Sequence, residues 1–149
     1  MVFHPHIVPN PCTEDGEFRV PDPLPDTILS VTNRNHALLI SHGFMFLCNN
    51  SDPARQSHHW RCQQPGCPAR VNTTFWDIVR GDPTAGHNHD VPEGRVLQHL
   101  FRWHLWVLIP TLQGVQPEAI MTQAVRNLTQ GQRELLGDHR THVFWIRDQ

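Results

Sequence analysis

Four residues of this chain are of the types that hold a transition metal, and they come in two closely spaced pairs: Cys62 with Cys67, and His87 with His89. The first pair is Cys-x4-Cys, spanned by Gln63-Gln64-Pro65-Gly66. Pro-Gly is a turn signal, so the two thiols converge. The second pair is His-x-His; on extended backbone, residues two apart point to the same side, so both imidazoles face one ion. Two thiolates and two imidazoles at tetrahedral reach are the donor set of structural zinc, and a closed Cys2His2 shell leaves no position for a substrate. The expectation is one structural Zn2+ and no catalytic residue. A disulfide or two buried thiols would also account for the cysteines, and a solvated loop for the histidines. A turn-closed cysteine pair followed about twenty residues later by paired histidines weighs toward the metal. The spacing departs from the finger whose histidines sit three to five apart on a helix. The second pair belongs on a strand end or loop, which implies a sheet-based zinc fold.

The flanking sequence supplies such a sheet. His36 to Ser41 is an apolar strand candidate, and His42-Gly43 makes a turn. Phe44, Phe46 and Cys48 alternate with Met45, Leu47 and Asn49, a period of two. A polar loop, 49–57, leads to a third strand, His58 to Cys62, with Trp60 and Cys62 on one face. Ala69 to Thr74 is a fourth, and Phe75 to Arg80 continues it or adds an edge. The reading is an antiparallel sheet of four or five short strands with zinc pinning its end and Leu39, Phe44, Phe46, Trp60 and Val71 as its core.

The series His42-Gly43-Phe44-Met45-Phe46, His59-Trp60-Arg61-Cys62, Cys67-Pro68-Ala69-Arg70-Val71 and His87-Asn88-His89 resembles a FLYWCH-type zinc finger over residues 30–92. That family is grouped with the WRKY and GCM zinc domains and is common in proteins derived from Mutator-like transposons. The resemblance implies Cys62, Cys67, His87 and His89 as ligands, a nuclear location and double-stranded DNA as partner. By analogy with WRKY domains, the strand from Phe44 to Asn50 would read DNA, with polar reach from Asn49, Asn50, Arg55, Arg61 and Arg70. Two departures show: Phe44 and Phe46 stand where tyrosines are usual, and His59 replaces the aromatic residue before the tryptophan. The WRKY heptapeptide is absent.

Composition frames the rest. At 149 residues the chain is one small domain with flanks or two small units, and 38% hydrophobic residues allow no large core. Six prolines between Pro5 and Pro25 and an excess of acids make residues 1–29 read as a disordered leader. Cys12 is an incidental thiol within it. Residues 1–11 lack the charged start and apolar run of a signal peptide. No apolar run is long enough to span a membrane.

After Pro92 the texture turns helical. Val96, Leu97, Leu100, Phe101, His104, Leu105 and Leu108 recur at three and four, an amphipathic helix from about Glu93 to Ile109. Pro117-Glu118 opens a second helix, Gly131 to Gly137 is a short third element, and Arg140 to Arg147 a last one. The fold class is therefore α+β: a small zinc-stabilised antiparallel sheet, WRKY/GCM-like by the resemblance, over residues 30–92, then a short α-helical bundle over 93–149. Trp103, Trp106 and Trp145 exceed what a small bundle needs and point to a protein partner through this tail.

Charge argues against an easy answer. The net charge is −2, unlike the basic footprint of most nucleic-acid binders. Five acids against one arginine give −4 in residues 1–29; six arginines against five acids give +1 in 30–98; five against four give +1 in 99–149. No lysine occurs, so every fixed positive charge is a guanidinium, suited to bidentate contacts with phosphate or guanine. Two functions follow: a DNA-binding module, or a zinc-stabilised protein-interaction adaptor. No Gly-rich phosphate loop is present. The contiguous His87-Asn88-His89 is unlike the nuclease motif of those letters, whose residues are spread across a hairpin and a helix. No enzyme and no small-molecule substrate are expected.

Overall fold

The computed structural model describes residues 8–147. The chain forms two compact units, one centred on Pro25–Pro92, the other made of Pro9–Leu24 together with the segment from Glu93 onward.

In chain order the elements are β1 (Thr13–Glu14), β2 (Glu17–Phe18), β3 (Thr27–Val31), β4 (Ala37–Ser41), β5 (Phe44–Asp52), β6 (Ser57–Cys62), β7 (Arg70–Thr74), β8 (Ile78–Arg80), α1 (Glu93–Leu108), α2 (Pro117–Ala124), α3 (Gln130–Leu136) and α4 (His139–Arg147). The fold is thus an antiparallel sheet followed by helices, with strands β3 to β8 in sequence order, each paired with the next.

The first unit is a meander set by its turns. Ser41 pairs with Phe44, leaving His42-Gly43 as a two-residue loop. Both residues have positive φ, 50° and 85°, the type I′ geometry whose twist matches that of the flanking strands. Gly43 has a second constraint: a Cβ there would lie 2.6 Å from Val91 Cγ1. One face of the sheet forms a core of Leu39, Phe44, Phe46, Trp60 and Val71 with Ala37, Ala69, Cys62 and Cys67. All five expected core residues are in it. Trp60 is fully buried, and its indole Nε1–H donates to Thr73 Oγ1 at 2.9 Å, so its one polar atom is satisfied. Phe75 and Trp76 stand in the turn between β7 and β8 rather than on a strand: Phe75, at φ 55°, is half-exposed, whereas Trp76 stacks on His58 at 3.6 Å.

The sheet has one strand more than expected. Thr27–Val31 pairs with Ala37–Ser41 along five residues, although Pro21, Pro23 and Pro25 make this neighbourhood read as leader. Proline stops a strand only where it stands; the run beginning two residues past Pro25 is free to pair.

The second unit corrects a larger expectation. Residues 9–24 are not a solvated leader: Cys12 and Phe18 are buried, and β1 and β2 form a ribbon closed by Asp15-Gly16. Asn10 donates to the Leu100 carbonyl at 3.0 Å, and Thr13 Oγ1 lies 2.8 Å from His104 Nδ1. Glu17 binds Arg126, Arg19 and Asn127. Its carboxylate, counted as a solvating acid, is a cross-link instead. The first seven residues of the expected leader lie outside the described residues.

Helix α1 buries Val96, Leu97, Leu100, Phe101, Trp103, His104 and Leu105, the stripe expected of a 3.6-residue period. It gives way to a 3-10 turn at Ile109–Thr111, where Pro110 cannot continue the ladder. Pro117 sits in the first turn of α2. Thr129 and Gln132 form a capping box at the start of α3. Trp103 is core, while Trp106 and Trp145 are half-buried. Among the described residues no helix is long and apolar enough to cross a membrane.

Burial holds the His104 imidazole down at about 4, well below its usual value, and its Nε2 has no hydrogen-bond partner among the described residues. Between about pH 6.5 and 4 the unfolded chain binds a proton here that the folded chain refuses, so stability falls as pH falls through that window and levels off below it. His99, on the same helix, is shifted the same way by burial. Melts of the full chain followed at 222 nm should show the helical transition losing stability from pH 6.5 to 4, with a shallower dependence in His104→Gln. An identical slope in the variant would remove His104 from this account.

Candidate metal centre

Cys62 ends β6 and Cys67 follows a tight knuckle in which the Cys67 amide donates to the Gln64 carbonyl at 3.1 Å. The Cys62 amide donates to the Ala69 carbonyl, also at 3.1 Å, closing the knuckle from the other side. The histidines stand on the loop between β8 and α1, entered through Gly86. Gly86 has φ +79°, which few side chains tolerate. Asn88 Nδ2 donates to the Gly66 carbonyl at 3.2 Å, tying the histidine loop to the cysteine knuckle.

One ligand atom from each of Cys62, Cys67, His87 and His89 lies within 4.8 Å of all the others. Cys62 Sγ is 3.2 Å from His89 Nε2, and Cys67 Sγ is 3.5 Å from His87 Nδ1. A tetrahedral zinc with bonds of about 2.3 Å to sulfur and 2.0 Å to nitrogen has edges of about 3.3–3.8 Å. The Cys67–His87 pair falls within that range, and the Cys62–His89 pair lies just short of it. All four cysteines are free thiols, so no disulfide competes.

The supporting contacts fit the same group. His87 Nε2–H donates to the Pro83 carbonyl and His89 Nδ1–H to the Asp90 carbonyl, both at 2.8 Å. Each imidazole is thereby held with its other nitrogen toward the thiols, by the backbone hydrogen bonds that usually fix metal-ligating histidines. Burial pushes the Cys62 thiol up. It pushes Cys67 up too, but the Ala69 and Asn88 amides, with the Cys62 and His87 side chains, outweigh it and bring Cys67 well below the ordinary thiol. A thiolate is the form a metal takes.

Phe44 stacks on His87 with ring centroids 3.7 Å apart and planes within 7°, and Phe46 meets the same ring edge-on. The two departures from family tyrosines thus form the apolar wall of the site. His58 is elsewhere, with its Nδ1 2.7 Å from Ser51 Oγ. The five expected nucleic-acid residues, Asn49, Asn50, Arg55, Arg61 and Arg70, are all exposed on the finger and none is a member of the metal cluster, although the Arg70 guanidinium is near enough to favour the Cys62 thiolate.

A small antiparallel sheet pinned at one end by a closed Cys2His2 set defines the class: a zinc finger with one structural zinc. The family model for the FLYWCH zinc finger domain matches residues 29–89, a span that holds all four ligands. The chain therefore carries a FLYWCH zinc finger. No curated protein and no solved structure matches it.

Proposed function

We propose that the protein is a nuclear DNA-binding zinc-finger protein, a transcription regulator or DNA binder of Mutator-like transposon descent. The observation that carries this reading is a zinc-fitted finger whose Asn49, Asn50, Arg55, Arg61 and Arg70 all reach solvent. With all four metal positions taken by side chains, the site has none left for catalysis. The sheet then serves as a scaffold whose surface does the binding, as in proteins that read DNA with strands. The location and the descent rest on the family resemblance and on the helices that follow the finger.

A second reading, a zinc-stabilised protein-interaction adaptor, is favoured by charge: residues 25–92 hold five arginines against five aspartates. Salt separates the two, because phosphate contacts make affinity fall steeply with ionic strength. Selection of the zinc-loaded protein on a random duplex pool should enrich one sequence family, with binding lost on chelation and weakened by salt. A zinc-loaded protein that binds no duplex at low salt would exclude DNA and leave the adaptor.

A further inference from the structure

The strand register orders the exposed face of the sheet into two lines of side chains. Asn50 of β5 stands opposite His59 of β6, His59 opposite Asn72 of β7, and Asn72 opposite Arg80 of β8. All four are exposed. His59 Nδ1 lies 2.8 Å from Asn72 Oδ1, holding the centre of the line in place. Beside it, exposed Arg61 of β6 stands directly opposite exposed Arg70 of β7. Like charges directly across a strand pair destabilise a sheet.

Neither line contains a carboxylate, and among the described residues Arg61, Arg70 and Arg80 form no ion pair. The arginine Arg55, by contrast, lies 3.7 Å from Asp52. Arg70 donates to the Ala69 carbonyl at 3.3 Å and Arg80 to Thr74 Oγ1 at 3.0 Å, both neutral acceptors, so the exposed face of a neutral unit concentrates three guanidiniums outside any ion pair on three adjacent strands. With strands about 4.8 Å apart the four-residue line is about 14 Å long, close to the roughly 12 Å width of a major groove.

Resting on the DNA-binding reading, we infer that this face of β6, β7 and β8 is the docking surface for duplex DNA, with Arg61, Arg70 and Arg80 on backbone phosphates. Asn50, His59 and Asn72 lie beside them as the polar groups that meet the groove. This shifts the contact surface away from Asn49 and Arg55 and adds Arg80, which the motif-based reading left out.

The test is fluorescence anisotropy of the full, zinc-loaded chain with a labelled random duplex, titrated between about 50 and 200 mM salt. The probe proteins are the triple variant Arg61→Gln, Arg70→Gln, Arg80→Gln, the single variant Arg80→Gln, and the control Asn49→Ala, Arg55→Gln. Zinc content and circular dichroism matching the unaltered protein show that each variant is folded. Each phosphate contact contributes about 0.9 to the slope of log affinity on log salt. The triple variant should lose about 2.7 of slope and Arg80→Gln about 0.9, with the control unchanged. Across that salt range the unaltered protein should lose about 40-fold more affinity than the triple variant. If the unaltered protein binds and the triple variant keeps its slope, the surface is wrong and the DNA-binding reading stands. If the unaltered protein binds no duplex, that reading fails, and retention on polyglutamate would assign the face to an acidic protein.

Discussion

Chelation of zinc should unfold residues 25–92. The core cluster on the zinc face of the sheet has nine buried side chains, four of them alanine or cysteine, which is small. Structural zinc in finger peptides contributes about 10–16 kcal/mol, against a net stability of about 5–15 kcal/mol for a whole domain. Loss of the metal also leaves two thiols and two imidazoles crowded within 4.8 Å with no ion to hold them together. EDTA should therefore collapse the amide dispersion of β3 to β8 and move Trp60, now fully buried, into water, with a red-shifted emission. Cys67→Ser and His89→Ala should each do the same at ordinary zinc concentrations. A sheet that keeps its dispersion after chelation would show that the apolar core suffices.

Phe18→Ala should cost the helical unit about 3–5 kcal/mol, the range for truncating a buried aromatic. Phe18 is 1% exposed and meets Phe101 edge-to-face at 5.2 Å, a geometry that adds about 0.5–1.5 kcal/mol beyond burial. Glu14, beside the ribbon turn and exposed, is the control; Glu14→Ala should stay within about 0.5 kcal/mol. Denaturant unfolding of the full chain followed at 222 nm reads the difference. Equal midpoints for the two variants would return residues 9–24 to the status of a solvated leader.

The same segment shows what the sequence revealed and what it hid. The metal ligands were legible because side-chain type and spacing are properties of the string itself. So were Trp60, Phe44 and Phe46, through alternation, and the α1 stripe, through its period. Residues 9–24 were not, because proline and acid counts describe an average while docking depends on two positions, Cys12 and Phe18. A local signal was present: Asp15-Gly16 is a strong two-residue hairpin sequence, and it sits between Glu14 and Glu17, which pair. Composition overrode it. The carbonyls of Pro83 and Asp90 that orient the histidines could not have been read at all, since every residue has a carbonyl. The opposition of Arg61 and Arg70 was equally hidden, because it depends on the β6–β7 register, which the connection between those strands sets.

The central claim is that one zinc, held by two sulfurs and two nitrogens, pins this finger. Zinc-edge X-ray absorption of the purified chain, with metal content measured on the same sample, tests it most directly. The expected result is one zinc per chain with two sulfur neighbours at about 2.3 Å and two nitrogen neighbours at about 2.0–2.1 Å. A shell of light atoms alone, or a folded chain with substoichiometric zinc, would contradict it.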